Sequence, residues 1–149
     1  MNVHFICRGN ILRSLIAETY IKSLELKTVS AISSGTNVHW EDETERKYFL
    51  DSLKLLHNHG IEKYAKDLPE QLIQQRVNYQ DITICMNQRV VDEAKDIVVL
   101  PSNTINWNII DIGEGHRTIE ADKELYLEEI YNEIVQKVDG LIITYKLHR

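Results

Sequence analysis

The sequence predicts an α/β protein, a three-layer sandwich in which a four-stranded parallel sheet is flanked by helices. Three observations carry that prediction. Short apolar runs alternate along the chain with segments of helical periodicity. The apolar runs are continuous rather than alternating, as in strands covered on both faces. The 149 residues contain no internal repeat, low-complexity tract or Gly/Ser-rich linker, so residues 1–149 are expected to form one domain.

Residues 3–7 read as a buried first strand, after which Leu15, Ile16, Tyr20, Ile21 and Leu24 recur at helical spacing to about Leu26. A second strand is expected over residues 29–33, followed by the turn "SSGTN". Phe49, Leu53 and Leu56 mark a helix from about residue 43 to 59, which Gly60 can end in a left-handed cap. Another helix is expected to begin near Pro69, since proline has no N–H to leave unpaired in a first helical turn. "DITICM", residues 81–86, is a third strand; a short helix to about Lys95 follows, and "DIVVLP", residues 96–101, reads as the fourth strand. From about Ile119 the spacing of Leu127, Ile130, Ile134, Val138 and Leu141 gives a long amphipathic helix, with Gly140 as a possible break. In open sheets of this kind ligands bind beyond the carboxyl ends of the strands, beside helix N-termini. Cys7 falls at that place.

Composition narrows the partners. With 17 Lys and Arg against 23 Asp and Glu, interspersed, the net charge is −6, and no cationic face is available for a nucleic-acid backbone. The first apolar run is too short for a signal peptide, and no later one approaches a membrane span. A cytoplasmic protein without nucleic-acid or membrane partners is expected. The two cysteines, Cys7 and Cys85, lie in strand-like runs and read as reduced thiols rather than a disulfide.

The loop Cys7 to Ser14, "CRGNILRS", carries the chemistry. Gly9 and Asn10 tolerate left-handed backbone angles that let a loop curl so that its N–H groups converge on an anion. The following helix adds unpaired N–H groups and the positive end of its dipole. Arg13 can fold its planar fork over the same hollow and bind two oxygens of a tetrahedral dianion. That setting also favours the thiolate of Cys7, and Ser14 offers a hydroxyl to the sulfur. A buried strand-end cysteine beside a glycine turn is by itself commonplace. The position of this loop, between first strand and first helix, tips the reading to nucleophile and phosphate cradle.

The loop resembles that of the low-molecular-weight protein tyrosine phosphatase family, Cys-x-Gly-Asn-x-Cys-Arg-Ser-Pro after an N-terminal strand. "SSGT" at 33–36, "DITICM" at 81–86 and "WNIIDI" at 107–112 are similar to further segments of that family, and element order agrees along nearly the whole chain. The resemblance implies a phosphomonoesterase that uses no metal or other cofactor. Cys7 would attack phosphorus, Arg13 and the amides of Arg8, Gly9, Asn10, Ile11 and Leu12 would hold the oxygens, and an aspartic acid would protonate the leaving alcohol or phenol. Water would then hydrolyse the phosphocysteine and release inorganic phosphate. Asp111 is the expected acid, with Glu114 and Asp122 as competing carboxylates. Asn10 is expected to brace the loop, with Ser33 or Ser34 in its network, and Trp40 is a candidate aromatic wall, equally readable as partly buried core. The histidines His57, His59 and His116 have no zinc-site spacing and read as surface.

The chain also departs from the family pattern. Leu12 replaces a second loop cysteine, so oxidised Cys7 has no neighbour with which to form a disulfide. Leu15 replaces a proline at the helix start, and Ile112 replaces the proline that normally follows the acid. Arg8 adds a charge at the mouth. Ile11 matches the phosphotyrosine-directed form of the loop, where protein-arginine phosphatases typically carry threonine, so a phosphotyrosine protein or a small phosphomonoester is the expected substrate. Two rivals remain: a non-catalytic module that binds phosphate or a phosphoprotein, and a thioredoxin-coupled arsenate reductase. The second needs further cysteines beyond the acid, and the chain has none after Met86.

Overall fold

The computed structural model describes residues 1–148. In it, β1 (Asn2–Cys7), β2 (Ser30–Gly35), β3 (Ile82–Cys85) and β4 (Ile105–Asn106) form a parallel sheet in the order β2-β1-β3-β4. The helices are α1 (Arg13–Ser23), α2 (Glu43–Asn58), α3 (Gln74–Val77), α4 (Gln88–Lys95) and α5 (Lys123–Thr144). Because strand side chains alternate between faces, β1 serves two cores at once. Val3, Phe5 and Cys7 join Ala31, Ile82, Ile84 and Trp107 beneath Leu15, Ile16, Leu56, Ile130, Ile134 and Val138 of α1, α2 and α5. Ile6 points the other way, into a smaller cluster with Leu72, Val77, Cys85, Val90, Ala94 and Val98. These buried faces explain why the strands read as continuous apolar runs.

Four sequence expectations are corrected. The fourth strand is not residues 96–101: Val98 packs in the smaller core while the backbone N–H and C=O of Val99 bond the side-chain amide of Gln74, at 2.7 and 3.2 Å. The chain then turns at Pro101, and the half-polar Ile105–Asn106 pairs with Ile84–Cys85 instead. Pro69 opens no helix. The segment after it runs alongside the end of β2, with Gly35 N–H donating to Glu70 O and Leu72 N–H to Gly35 O, and only the single turn α3 follows. The first helix stops at Ser23, with Glu25 left-handed at φ 51°. Gly140 does not break α5, which continues to Thr144.

The register sets Cys7 opposite Gly35. A Cβ on Gly35 would lie 2.5 Å from Arg8 O and 2.9 Å from Asn10 N, so this glycine is what lets the loop after β1 close down on β2.

Candidate active site

Residues 8–12 run from the end of β1 into α1. Of the two positions that tolerate left-handed angles, Asn10 adopts one, at φ 56°, and Gly9 does not. Asn10 is held there by a full set of hydrogen bonds. Its Oδ1 accepts from Lys66 Nζ (2.9 Å) and from Glu70 N–H (2.8 Å), both of which can only donate, and this fixes the amide orientation. Its Nδ2 then donates to Ser14 Oγ (2.8 Å) and Ser33 Oγ (2.9 Å). Ser33, rather than Ser34, is thus the serine of this network.

The consequence reaches the sulfur. Ser14 Oγ lies 2.9 Å from Cys7 Sγ, and since that oxygen already accepts from Asn10, its one proton is free to point at sulfur. Asn10 N–H donates to the same sulfur at 3.3 Å. Two donors are thus trained on one buried Sγ. At its N-cap, Leu12, α1 has no side-chain hydrogen bond, and its first turn holds no acidic residue, so its end is left for an anion.

Cys7, Arg8, Gly9, Ile11, Leu12, Arg13 and Asp111 line one pocket of about 260 Å³. Arg13, 1% exposed, donates from Nη1 to Ile109 O at 3.0 Å and from Nη2 to Asp111 Oδ2 at 3.2 Å. A guanidinium has five donors, so three remain for a ligand. Arg8 is held off to one side, its Nε paired with both oxygens of Glu93 at 2.8 and 3.1 Å. The competing carboxylates Glu114 and Asp122 do not line the pocket; Glu114 accepts from Asp111 N–H and Asn87.

Trp40 is not brought to the pocket. Half-buried, it packs edge-on against Phe49 with ring centroids 5.2 Å apart. Tyr48 lines the pocket in its stead, beside Asp42, Thr44 and Glu45 at the start of α2. Burial, then the charges of Asp42 and Asp111, raise the pKa of Glu45. Tyr48, Glu45 and Lys66 were not singled out from the sequence. Phe49 signalled the apolar stripe of α2, but the face turned to the pocket is polar and has no comparable period. Nothing in the order "EKYAKD" marks Lys66 as the residue that reaches Asn10.

Beneath the loop the network continues to β1. His4 Nε2 is 2.8 Å from Ser34 Oγ, which accepts from Arg76 Nε at 2.8 Å. Burial, then the charges of Arg76 and Lys66, lower the His4 pKa to about 3. The unfolded chain therefore takes up a proton that the folded one refuses, and stability falls as the pH drops from about 6.5 toward 3. Between pH 7 and pH 4.5 this histidine is expected to remove about 2–3 kcal/mol of unfolding free energy. Urea denaturation at the two pH values measures it. His4→Gln should shrink the difference by that amount, and an equal loss in both proteins would refute the assignment.

Among the described residues no three His, Cys, Asp or Glu side chains converge as a metal site requires, and no helix is long and apolar enough to cross a membrane. No curated protein matches the chain by sequence. Solved structures share its fold across nearly their whole length. The Drosophila arginine phosphatase has 18% identity, covers 98% of each chain and superposes with a TM-score of 0.69. Vibrio vulnificus Wzb in complex with benzylphosphonate has 16% identity, covers 96% of this chain and 97% of its own, and has a TM-score of 0.69. A Streptococcus pyogenes low molecular weight protein tyrosine phosphatase has 19% identity, 94% and 92% coverage and a TM-score of 0.67. The family model for low molecular weight phosphotyrosine protein phosphatases matches residues 2–146. A cysteine-bearing loop between β1 and α1, set in this fold and matched by that family's model over residues 2–146, places the chain in the low molecular weight phosphotyrosine protein phosphatase family, as a cysteine-dependent phosphatase.

Proposed function

We propose that the chain dephosphorylates phosphotyrosine in proteins through a phosphocysteine on Cys7. The observation that carries this reading is the pair of donors, Asn10 N–H and the Ser14 hydroxyl, aimed at Cys7 Sγ in a pocket shared with Arg13 and Asp111. The thiolate attacks phosphorus, while Arg13 and the amides of residues 8–12 hold the non-bridging oxygens. Asp111 gives its proton to the departing phenolic oxygen. It then takes a proton from water as that water attacks the phosphocysteine, and Cys7 leaves as a thiolate stabilised by Ser14. Ile11, Leu12 and the Tyr48 ring offer apolar wall to an aromatic leaving group. The need for a reduced Cys7 fits a cytoplasmic setting.

One observation favours a second substrate. Asp42, Glu45 and Asp111 are three carboxylates on one pocket, and Arg8 is already neutralised by Glu93. Burial is the main cause of the raised Glu45 pKa, and a cationic leaving group such as the guanidinium of phosphoarginine would relieve the repulsion from Asp42 and Asp111 that adds to it. Phosphate release from matched phosphotyrosine and phosphoarginine peptides separates the two. Wild type is expected to favour phosphotyrosine, and Glu45→Gln to shift the ratio several-fold further that way. A tenfold preference for phosphoarginine would replace the tyrosine reading. Phosphate binding with no turnover of either peptide would make the chain a binding module.

A further inference from the structure

Asp111 lies in a loop with little to hold it. From Ile110 to Leu125 every residue but one is exposed or half-buried, and Gly113 and Gly115 both adopt positive φ, at 90° and 53°. Ordering such a segment costs backbone entropy, and a general acid that wanders by an ångström loses much of its value. The exception is Arg117, 2% exposed.

Arg117 ties the loop together in two ways. Its backbone closes the turn, with Gly113 N–H donating to Arg117 O at 2.6 Å, Arg117 N–H to Glu114 O at 2.9 Å and Glu114 N–H to Asp111 O at 3.2 Å. Its guanidinium donates from Nη1 to Ile110 O at 2.6 Å, the carbonyl immediately before Asp111, and grips Glu133 of α5 with Nη2 at 2.9 Å and Nη1 at 3.4 Å. Its Nε faces Glu129 Oε1 of α5 at 3.5 Å. A two-point arginine–carboxylate contact fixes direction as well as distance. The buried charge is compensated by two carboxylates, so it is tolerated where one alone would be costly.

We propose that Arg117 is the positioning residue of the acid loop: through Ile110 O and Glu133 it fastens the backbone ahead of Asp111 to α5 and so holds Asp111 where it can protonate the leaving group. This rests on the reading of Asp111 as the acid. Asp111 meets Arg13 at the start of α1, Glu114 on its own loop, and the charge of Glu45 on α2. None of these joins the loop to α5.

The test is the dependence of kcat/KM on the leaving group. Phenol, with a pKa of about 10 like tyrosine, needs the proton; p-nitrophenolate departs readily without it. Asp111→Asn sets the scale, with an expected loss of about 10²-fold on phenyl phosphate and much less on p-nitrophenyl phosphate. Arg117→Gln is expected to lose about 10-fold or more on phenyl phosphate but under about 3-fold on p-nitrophenyl phosphate, with partial recovery in Arg117→Lys. Glu133→Gln, at a half-exposed position that does not endanger folding, should lose in the same direction by less. Equal losses on both substrates, or none, in Arg117→Gln and Glu133→Gln beside a selective Asp111→Asn would overturn the anchor and leave Asp111 as the acid. If Asp111→Asn is itself unselective, the acid assignment fails and the anchor with it.

Discussion

Cys7→Ser is expected to bring hydrolysis of p-nitrophenyl phosphate down to background, a loss on the order of 10⁴-fold or more, while inorganic phosphate still binds. The sulfur sits where Asn10 N–H and the Ser14 hydroxyl both donate to it, an arrangement that stabilises an anion. A thiol, with an ordinary pKa near 8.5, yields that anion readily; a serine hydroxyl would need a base, and its two neighbours in the loop are donors. The second thiol offers no substitute. Cys85 is enclosed in β3 and its pKa is pushed up to about 12 by burial, so Cys85→Ala should leave the rate within a factor of about two. Calorimetric titration with phosphate shows whether the loop of Cys7→Ser is intact, and stopped assays give the turnover. A Cys7→Ser protein that keeps a tenth of the wild-type rate would remove Cys7 from the mechanism.

What could be read from the sequence followed the range of the forces involved. Residues 3–7 and 81–86 were legible because strands buried on both faces are apolar at most positions, with only His4 and Thr83 as buried polar exceptions, and the loop after β1 was legible because cysteine, turn former, arginine and hydroxyl fall within eight consecutive residues. Residues 96–101 misled for the same reason: Val98 is apolar because it packs on α4, and the edge strand that pairs with β3 is two residues long and half polar. The site beyond its own loop was only partly legible. Asp111 was picked out by its place in the chain, but the pieces that hold the site come from far away. Lys66 reaches Asn10 across 56 residues and Arg13 reaches Asp111 across 98, and no local pattern encodes either pairing. Trp40 reads from the sequence equally as pocket wall or as partly buried core, and the structure gives the second, with the helical turn from Asp42 sending Tyr48 to the pocket and leaving Trp40 against Phe49. Nothing in the sequence marks Arg117, because burial of its charged side chain depends on Glu133, sixteen residues on.

Arg13→Lys is expected to cost about 10³-fold in kcat/KM and to weaken inhibition by phosphate and vanadate in parallel. The size of the effect follows from two tasks carried by one planar group. Toward the pocket, three free N–H donors can meet two oxygens of the substrate at once, a geometry that an ammonium cannot copy. Away from it, Nη1 holds Ile109 O and Nη2 holds Asp111, so the same side chain that binds phosphate also sets the entry to the acid loop. Lysine keeps the charge but loses the fork. It can satisfy one of those tasks and must abandon the other, leaving Ile109 O or Asp111 without its donor. The loss should therefore exceed that of a simple phosphate contact and be larger on phenyl phosphate than on p-nitrophenyl phosphate, since part of it falls on proton transfer. Combining Arg13→Lys with Asp111→Asn should cost clearly less than the product of the two single losses on phenyl phosphate, because the pair acts as a unit. Strictly multiplicative losses would mean that the 3.2 Å contact between Arg13 and Asp111 has no part in catalysis.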